Sequence, residues 1–276
     1  MTDLLDAEQI AEGVLPSLRA RLRKVTVLAE TDSTNSELAR LKPAERHAHA
    51  ILAERQTRGR GRRERKWHSP AGGNIYLSFA WRFARGEYPF STLPLVAAIA
   101  AANALKHVGL DGHGVKWPND ILVNGKKLTG ILVELKSGGD GRATAIIGVG
   151  INVRMPSTAS EDPLELIERP WTDLESHLAE PFKPCDRNRL AAAVLDQLLA
   201  SLDRFERSGF ETFRGAWRKY DLLENGQVTV ELDDGQVTGI ARGVSEAGEL
   251  LLETADGETQ LFHSGEVRVY RGVHAF

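Results

Sequence analysis

VKWPNDILVNGKKLTGILVELKS, Val115 to Ser137, is the stretch from which the architecture of this chain is read. Two apolar runs flank Asn124-Gly125, and both of those residues tolerate the positive φ of a type I′ turn, so the segment predicts a β-hairpin. Just before the first run, Pro118 fixes the chain between Trp117 and the pair Asn119-Asp120. Taken alone, KWPND reads as a turn that leads into a strand. Lys127, at the start of the second strand, taken alone reads as a solvated charge.

The flanks of the hairpin extend the same pattern. Upstream, Leu4–Leu22 has helical apolar spacing broken at Pro16, and KVTVLAE (24–30) predicts a strand. Asp32 to Ser36 offers several N-cap candidates for a helix through Leu41. HAILAERQ and NIYLSFAWR (74–82) predict two more strands, and the alanine-rich 93–107 a mostly buried helix. Downstream, ATAIIGVGINV (143–153) is apolar on both faces, as a central strand must be. Residues 155–170 are loop-like, with three prolines, and 186–219 predict one long helix. From about Val228 the period changes to two, with turns such as Asp234-Gly235 between short runs. The expected fold is α+β: a mixed β-sheet flanked by helices over residues 1–222, with an N-terminal helix at 4–22, followed by a small SH3-like β-barrel over 223–276.

RQTRGRGRRERKW, Arg55 to Trp67, follows the second strand. Six basic residues fall between Arg58 and Lys66, relieved only by Glu64. Such a run suits either a nucleic-acid patch or a loop that closes over a small anion. The glycines at 59 and 61 favour the loop, because glycine takes positive φ and lets a ligand approach the main chain. Arginine adds a planar fork matched to phosphate or carboxylate. The run matches neither G-x-x-x-x-G-K-[ST] nor G-x-G-x-x-G. The rest of the chain also argues against a nucleic-acid platform. The formal net charge is −3, and nine acidic residues against three arginines give residues 226–276 about −6.

Other classes are narrowed by composition. With 42% hydrophobic and 26% charged residues the chain has an ordinary globular balance. No apolar run approaches the ~20 residues of a membrane span. The acidic start has no cationic segment followed by an apolar core, so no signal peptide is expected. Cys185 is the single cysteine; it excludes an internal disulfide and fits a reducing, cytoplasmic setting.

Four segments in this order, DSTN (32–35), QTRGRGRRERKW (56–67), KWPNDILVNGKKLTGILVE (116–134) and GVGIN (148–152), resemble the biotin–protein ligase family. The resemblance covers about 24–153, and the acidic C-terminal unit is similar to that family's small terminal domain. It implies the class II synthetase-like fold of that family's catalytic domain. It also implies condensation of biotin with ATP, with Mg²⁺, to biotinyl-5′-AMP, and transfer of biotin to a lysine of a biotin carboxyl carrier protein. No DNA or membrane partner is expected, and the chain is expected to be a monomer or homodimer. The winged helix found in relatives that double as repressors has no room before Lys24, which suits a monofunctional form.

By the same resemblance, Ser33, Thr34, Asn35 and Gln56 belong to the biotin pocket, where neutral polar groups suit a ureido ring. Gly59, Arg60, Gly61 and Arg62 match the loop that orders over the adenylate, with Arg60, Arg62 and then Arg65 facing its phosphate. Lys127 matches the lysine at the reacting carboxylate and phosphate, and with Arg62 is the expected catalytic pair. Asn119, Asp120 and Asn152 match positions near the nucleotide, with Asp120 the one candidate toward a metal. Trp67 reads either as a wall for the apolar part of the ligand or as core. Glu266 is retained from the family's closing strand, whereas Tyr270 stands where some relatives have an arginine, which puts a nucleotide contact from the barrel in question. The alternatives are a lipoate-type ligase or acyltransferase on a related fold and a nucleic-acid-binding module.

Overall fold

The computed structural model describes residues 4–84, 88–138, 141–156, 170–233 and 235–269. The chain begins with two short helices, α1 (Ala7–Gly13) and α2 (Pro16–Arg19), rather than one helix over 4–22. Val14 and Leu15 are extended before Pro16, which opens the second helix at its first turn, where proline's missing N–H costs nothing. Strand β1 (Lys24–Thr31) leads to α3 (Thr34–Arg40), a short α4 (Pro43–Arg46) and β2 (His49–Gln56). Next come β3 (Ile75–Arg82), α5 (Leu93–His107), β4 (His113–Lys116), β5 (Asp120–Val123), β6 (Lys126–Ser137) and β7 (Ala143–Ile151).

These seven strands form one sheet in the order β1-β2-β3-β7-β6-β5-β4. Only β1 and β2 run parallel; every other neighbour pair is antiparallel. The β5–β6 hairpin turns at Asn124 (φ 50°) and Gly125 (φ 72°), both left-handed as the turn requires. Strand β7 lies in the middle, which explains its lack of a polar face.

The predicted helix at 186–219 is interrupted. It divides into α6 (Arg187–Ser208) and α7 (Arg214–Tyr220), because Gly209 takes φ 66° and ends the first helix. Helices α5 and α6 pack on one face of the sheet, burying the alternate residues Leu77, Phe79 and Trp81 of β3 and Ile147, Val149 and Ile151 of β7. Arg187, the first residue of α6, is 0% exposed. It is satisfied by Glu54 of β2 (2.8 and 3.2 Å) and by the carbonyl of Asn74 (3.1 Å), which ties the helix layer to the strand ends.

On the opposite face α3 makes a small second core from Leu38, Ile51, Ala80 and Ile146. A second, antiparallel sheet follows, with order β11-β10-β9-β8-β12: β8 (Gln227–Leu232), β9 (Gly235–Val244), β10 (Leu250–Glu253), β11 (Thr259–Phe262) and β12 (Glu266–Val269). It is docked on the first sheet by Trp117, whose indole N–H donates to the carbonyl of Gly248 at 3.0 Å. Cys185 is buried. Of the three prolines in the 155–170 stretch, Pro163 lies outside the described residues, as do Asp234 and Tyr270.

Candidate active site

The face of the large sheet that carries α3 is stripped of side chains at its centre. Across the register, Tyr76, Gly150 and Gly130 lie in one row, and Ser78, Gly148 and Leu132 in the next. Three glycines in two adjacent rows leave a hollow. A Cβ at Gly150 would come within 2.6 Å of the Trp67 ring, one at Gly130 within 2.8 Å of it, and one at Gly148 within 2.6 Å of Asn35 Oδ1. The sheet is therefore shaped to receive Trp67 and Asn35 flat against its backbone. Above this floor is a cavity of about 930 Å³, near the upper end of small-molecule pockets. Every site residue singled out from the sequence borders this cavity, as does Glu266 of β12.

One end of the cavity is neutral and polar. Thr34, buried at the start of α3, donates its backbone N–H to Gln56 Oε1 at 3.0 Å and approaches the same oxygen through its hydroxyl at 3.2 Å. Gln56 in turn donates to Ser69 Oγ at 3.1 Å. Ser78 Oγ donates to Asn35 Oδ1 at 2.5 Å and lies 2.7 Å from Thr34 Oγ1. Ser33, Thr34 and Asn35 are each nearly inaccessible, so their orientations are set by packing and by these bonds.

The other end carries charge. Lys127 Nζ lies 2.7 Å from Asp120 Oδ1 and 5.3 Å from the centre of the Trp67 ring, so charge and ring quadrupole both hold it. The Lys127–Asp120 contact is an ion pair without well-aligned hydrogen-bond geometry. Arg62 donates to Asn119 Oδ1 at 3.3 Å. Burial pushes the Arg62 guanidinium below its usual pKa, and the nearby Asp120 charge acts in the opposite sense. Arg62 is thus a partly desolvated cation that gains from an anion set beside it. Asn119 itself is pinned by donating to the Ile131 carbonyl at 2.7 Å.

The arginine loop differs from the sequence-based expectation in its backbone. The left-handed residues are Arg63 (φ 53°) and Glu64 (φ 59°), not the glycines. Gly59 is needed for close approach instead, since a Cβ there would fall 2.4 Å from the Trp67 carbonyl oxygen. Arg60 makes a two-pronged ion pair with Glu134 (3.1 and 2.8 Å), and Arg65 pairs with Glu266. The Asn152 side chain donates to the Thr172 carbonyl at 3.1 Å, so it also braces the 171–174 segment along the cavity rim.

Glu134, Ser69 and Ser78 were not singled out from the sequence. An acid inside the otherwise apolar ILVEL run was the available signal for Glu134. Nothing local marks Ser78, whose partners lie 43 and 44 residues away. Among the described residues, no three His, Cys, Asp or Glu side chains converge to hold a metal, and Asp120 is already engaged by Lys127. The donor set does not build a resident metal cage.

Comparison with known proteins is consistent with this geometry. Residues 27–152 match the sequence profile of the Biotin/lipoate A/B protein ligase family, and 225–270 that of the Biotin protein ligase C terminal domain. The chain is 38% identical to the bifunctional ligase/repressor BirA of Escherichia coli (strain K12) over 243 residues, spanning 88% of this chain and 73% of that protein. It is 34% identical to the biotin–[acetyl-CoA-carboxylase] ligase of Mycobacterium tuberculosis, covering 89% of this chain and 88% of that one. Among solved structures, the biotin protein ligase from Aquifex aeolicus in complex with biotin and ATP superposes with a TM-score of 0.72. The two share 32% identity over 90% of this chain and 99% of that one.

Proposed function

Because the chain belongs to the biotin–protein ligase family, we propose that its cavity condenses biotin with ATP to biotinyl-5′-AMP and passes the biotinyl group to a carrier lysine. The observation that carries this reading is the division of one cavity into a neutral polar lobe, at Thr34, Asn35 and Gln56, and a cationic one, at Lys127 and Arg62. The first suits an uncharged ureido ring, whose donors and acceptor need amide and hydroxyl partners. The second suits the place where a carboxylate meets a polyphosphate.

In the first step a carboxylate oxygen of biotin bonds to the α-phosphorus, and the bond to the departing pyrophosphate breaks. Two anions must approach each other, so fixed cations at the reacting oxygens lower the barrier. Lys127, held by Asp120 and Trp67, is placed for that work, and Arg62 for holding the adenylate phosphate afterwards. Mg²⁺, where it takes part, comes with the nucleotide phosphates, as a cation bound by few protein groups does. In the second step the lysine amine of a biotin carboxyl carrier protein attacks the acyl carbon and AMP leaves. No protein nucleophile is required. The arginine loop and Trp67 cover the mixed anhydride against water. We assign the two steps to residues 1–222, with residues 223–276 contributing the Glu266 wall, and place the reaction in the cytoplasm, where ATP and carrier meet.

Pyrophosphate release, measured with ATP and either biotin or lipoate, tests the assignment. Biotin alone is expected to stimulate release. Stimulation by lipoate without biotin would move the activity to the other branch of the family.

A further inference from the structure

We infer that Glu134 is a positioning residue that joins the arginine loop to the neutral lobe of the cavity. The inference rests on the ligase reading above. Glu134 stands on β6, on the same sheet face as Gly130 and Leu132, and its two oxygens serve two different elements. Oε2 accepts from Asn35 Nδ2 at 2.8 Å and from Arg60 Nη2 at 2.8 Å, while Oε1 accepts from Arg60 Nη1 at 3.1 Å. A single carboxylate therefore fixes both the amide of α3 and the fork of the loop.

Each half of this contact has a consequence for the cavity. The Asn35 amide lies between an acceptor, Glu134, and a donor, Ser78 Oγ at 2.5 Å. Those two neighbours select one of its two flip states, so the amide presents a fixed pattern to a ligand. On the loop side, Arg60 is stapled to β6 through Glu134, and Arg65 to β12 through Glu266. Arg62, the partly desolvated cation beside Asn119, lies between the two staples. Loosening the first staple frees one end of the segment that carries Arg62. The side chains of Arg60 and Glu134 are 42% and 23% exposed, so the pair contributes little to global stability. Its effect is expected in placement instead.

Two neutral substitutions and their combination separate these roles. Glu134→Gln keeps an acceptor for Asn35 but loses the two-pronged charge pair, and Arg60→Gln loses it from the other side. Escape of labelled biotinyl-AMP from the purified enzyme is followed in a chase, beside the KM for biotin and the melting temperature. Glu134→Gln is expected to speed escape by roughly fivefold, the upper range for a part-exposed ion pair, and by more than it raises the KM. The double variant is expected to lose adenylate no faster than the faster single one, because the two residues act through each other. Glu134→Ala, which also strips the acceptor from Asn35, is expected to raise the KM for biotin further. Unchanged escape in Glu134→Gln, additive effects in the double variant, or escape that changes only in step with thermal stability would each overturn the inference. A parent enzyme that forms no adenylate would remove the ligase reading itself, and the inference with it.

Discussion

Lys127 is the residue on which the proposed chemistry turns. Its ammonium is held between Asp120 and the Trp67 face, in a wall that water reaches only in part. A preorganised cation in such a place is worth far more than the same charge in bulk solvent. Lys127→Ala is therefore expected to slow biotin-dependent pyrophosphate release by about 3 kcal/mol, roughly a hundredfold. A rate within threefold of the parent would remove Lys127 from the reaction. The sequence marked this residue through its motif, because a lysine at a strand start has no chemistry of its own. Glu134 and Ser78 escaped notice for the complementary reason: their meaning lies in partners on other strands. The Arg187–Glu54 pair is a further case, since 133 residues separate its members and an arginine in a helix looks like a surface charge until the fold closes over it.

At the scale of elements, the cavity exists because β6 and β7 lack side chains where Trp67 and Asn35 settle. Local reading was enough to place β7 at the centre, from its lack of a polar face, and to find the hairpin, from Asn124-Gly125, since both follow from local chemistry. It did not assign the glycines of TGIL and GVGIN to a floor, because that depends on register across three strands. Gly150→Ala sets a methyl within 2.6 Å of the Trp67 ring, closer than any ordinary contact, so the ring must shift. Overpacking of this kind costs about 1–3 kcal/mol, and it should appear as a displaced indole. The expected result is altered tryptophan fluorescence with a weakened response to biotin and ATP. Unchanged fluorescence and activity would mean that the Trp67 ring does not lie on Gly150. The break at Gly209 was also missed, since a lone glycine in an amphipathic run is tolerated often enough to be passed over.

For the whole molecule, the joint between the two sheets bears on the site. The barrel reaches the cavity through Glu266 and grips Trp117, two residues before Asn119. The connection also passes Asp221, which accepts from the Trp217 indole and from the Leu223 N–H, both at 2.9 Å. Burial raises its pKa from 3.8 to about 6. A carboxyl group whose folded pKa is raised stabilises the fold fully below its unfolded value, and that contribution is lost as pH rises through the folded one. Between about pH 4 and pH 7 the parent should lose up to about 3 kcal/mol of stability relative to Asp221→Asn, whose side chain does not ionise. Equal pH profiles in denaturant unfolding would show that Asp221 ionises without cost. The most direct test of the whole account is intact-mass analysis of a folded biotin carboxyl carrier domain incubated with the enzyme, biotin and ATP. The expected result is a gain of one biotinyl group on a single lysine, dependent on ATP and abolished when that lysine is replaced by arginine. A carrier domain left unmodified here, although another biotin ligase labels the same preparation, would contradict it.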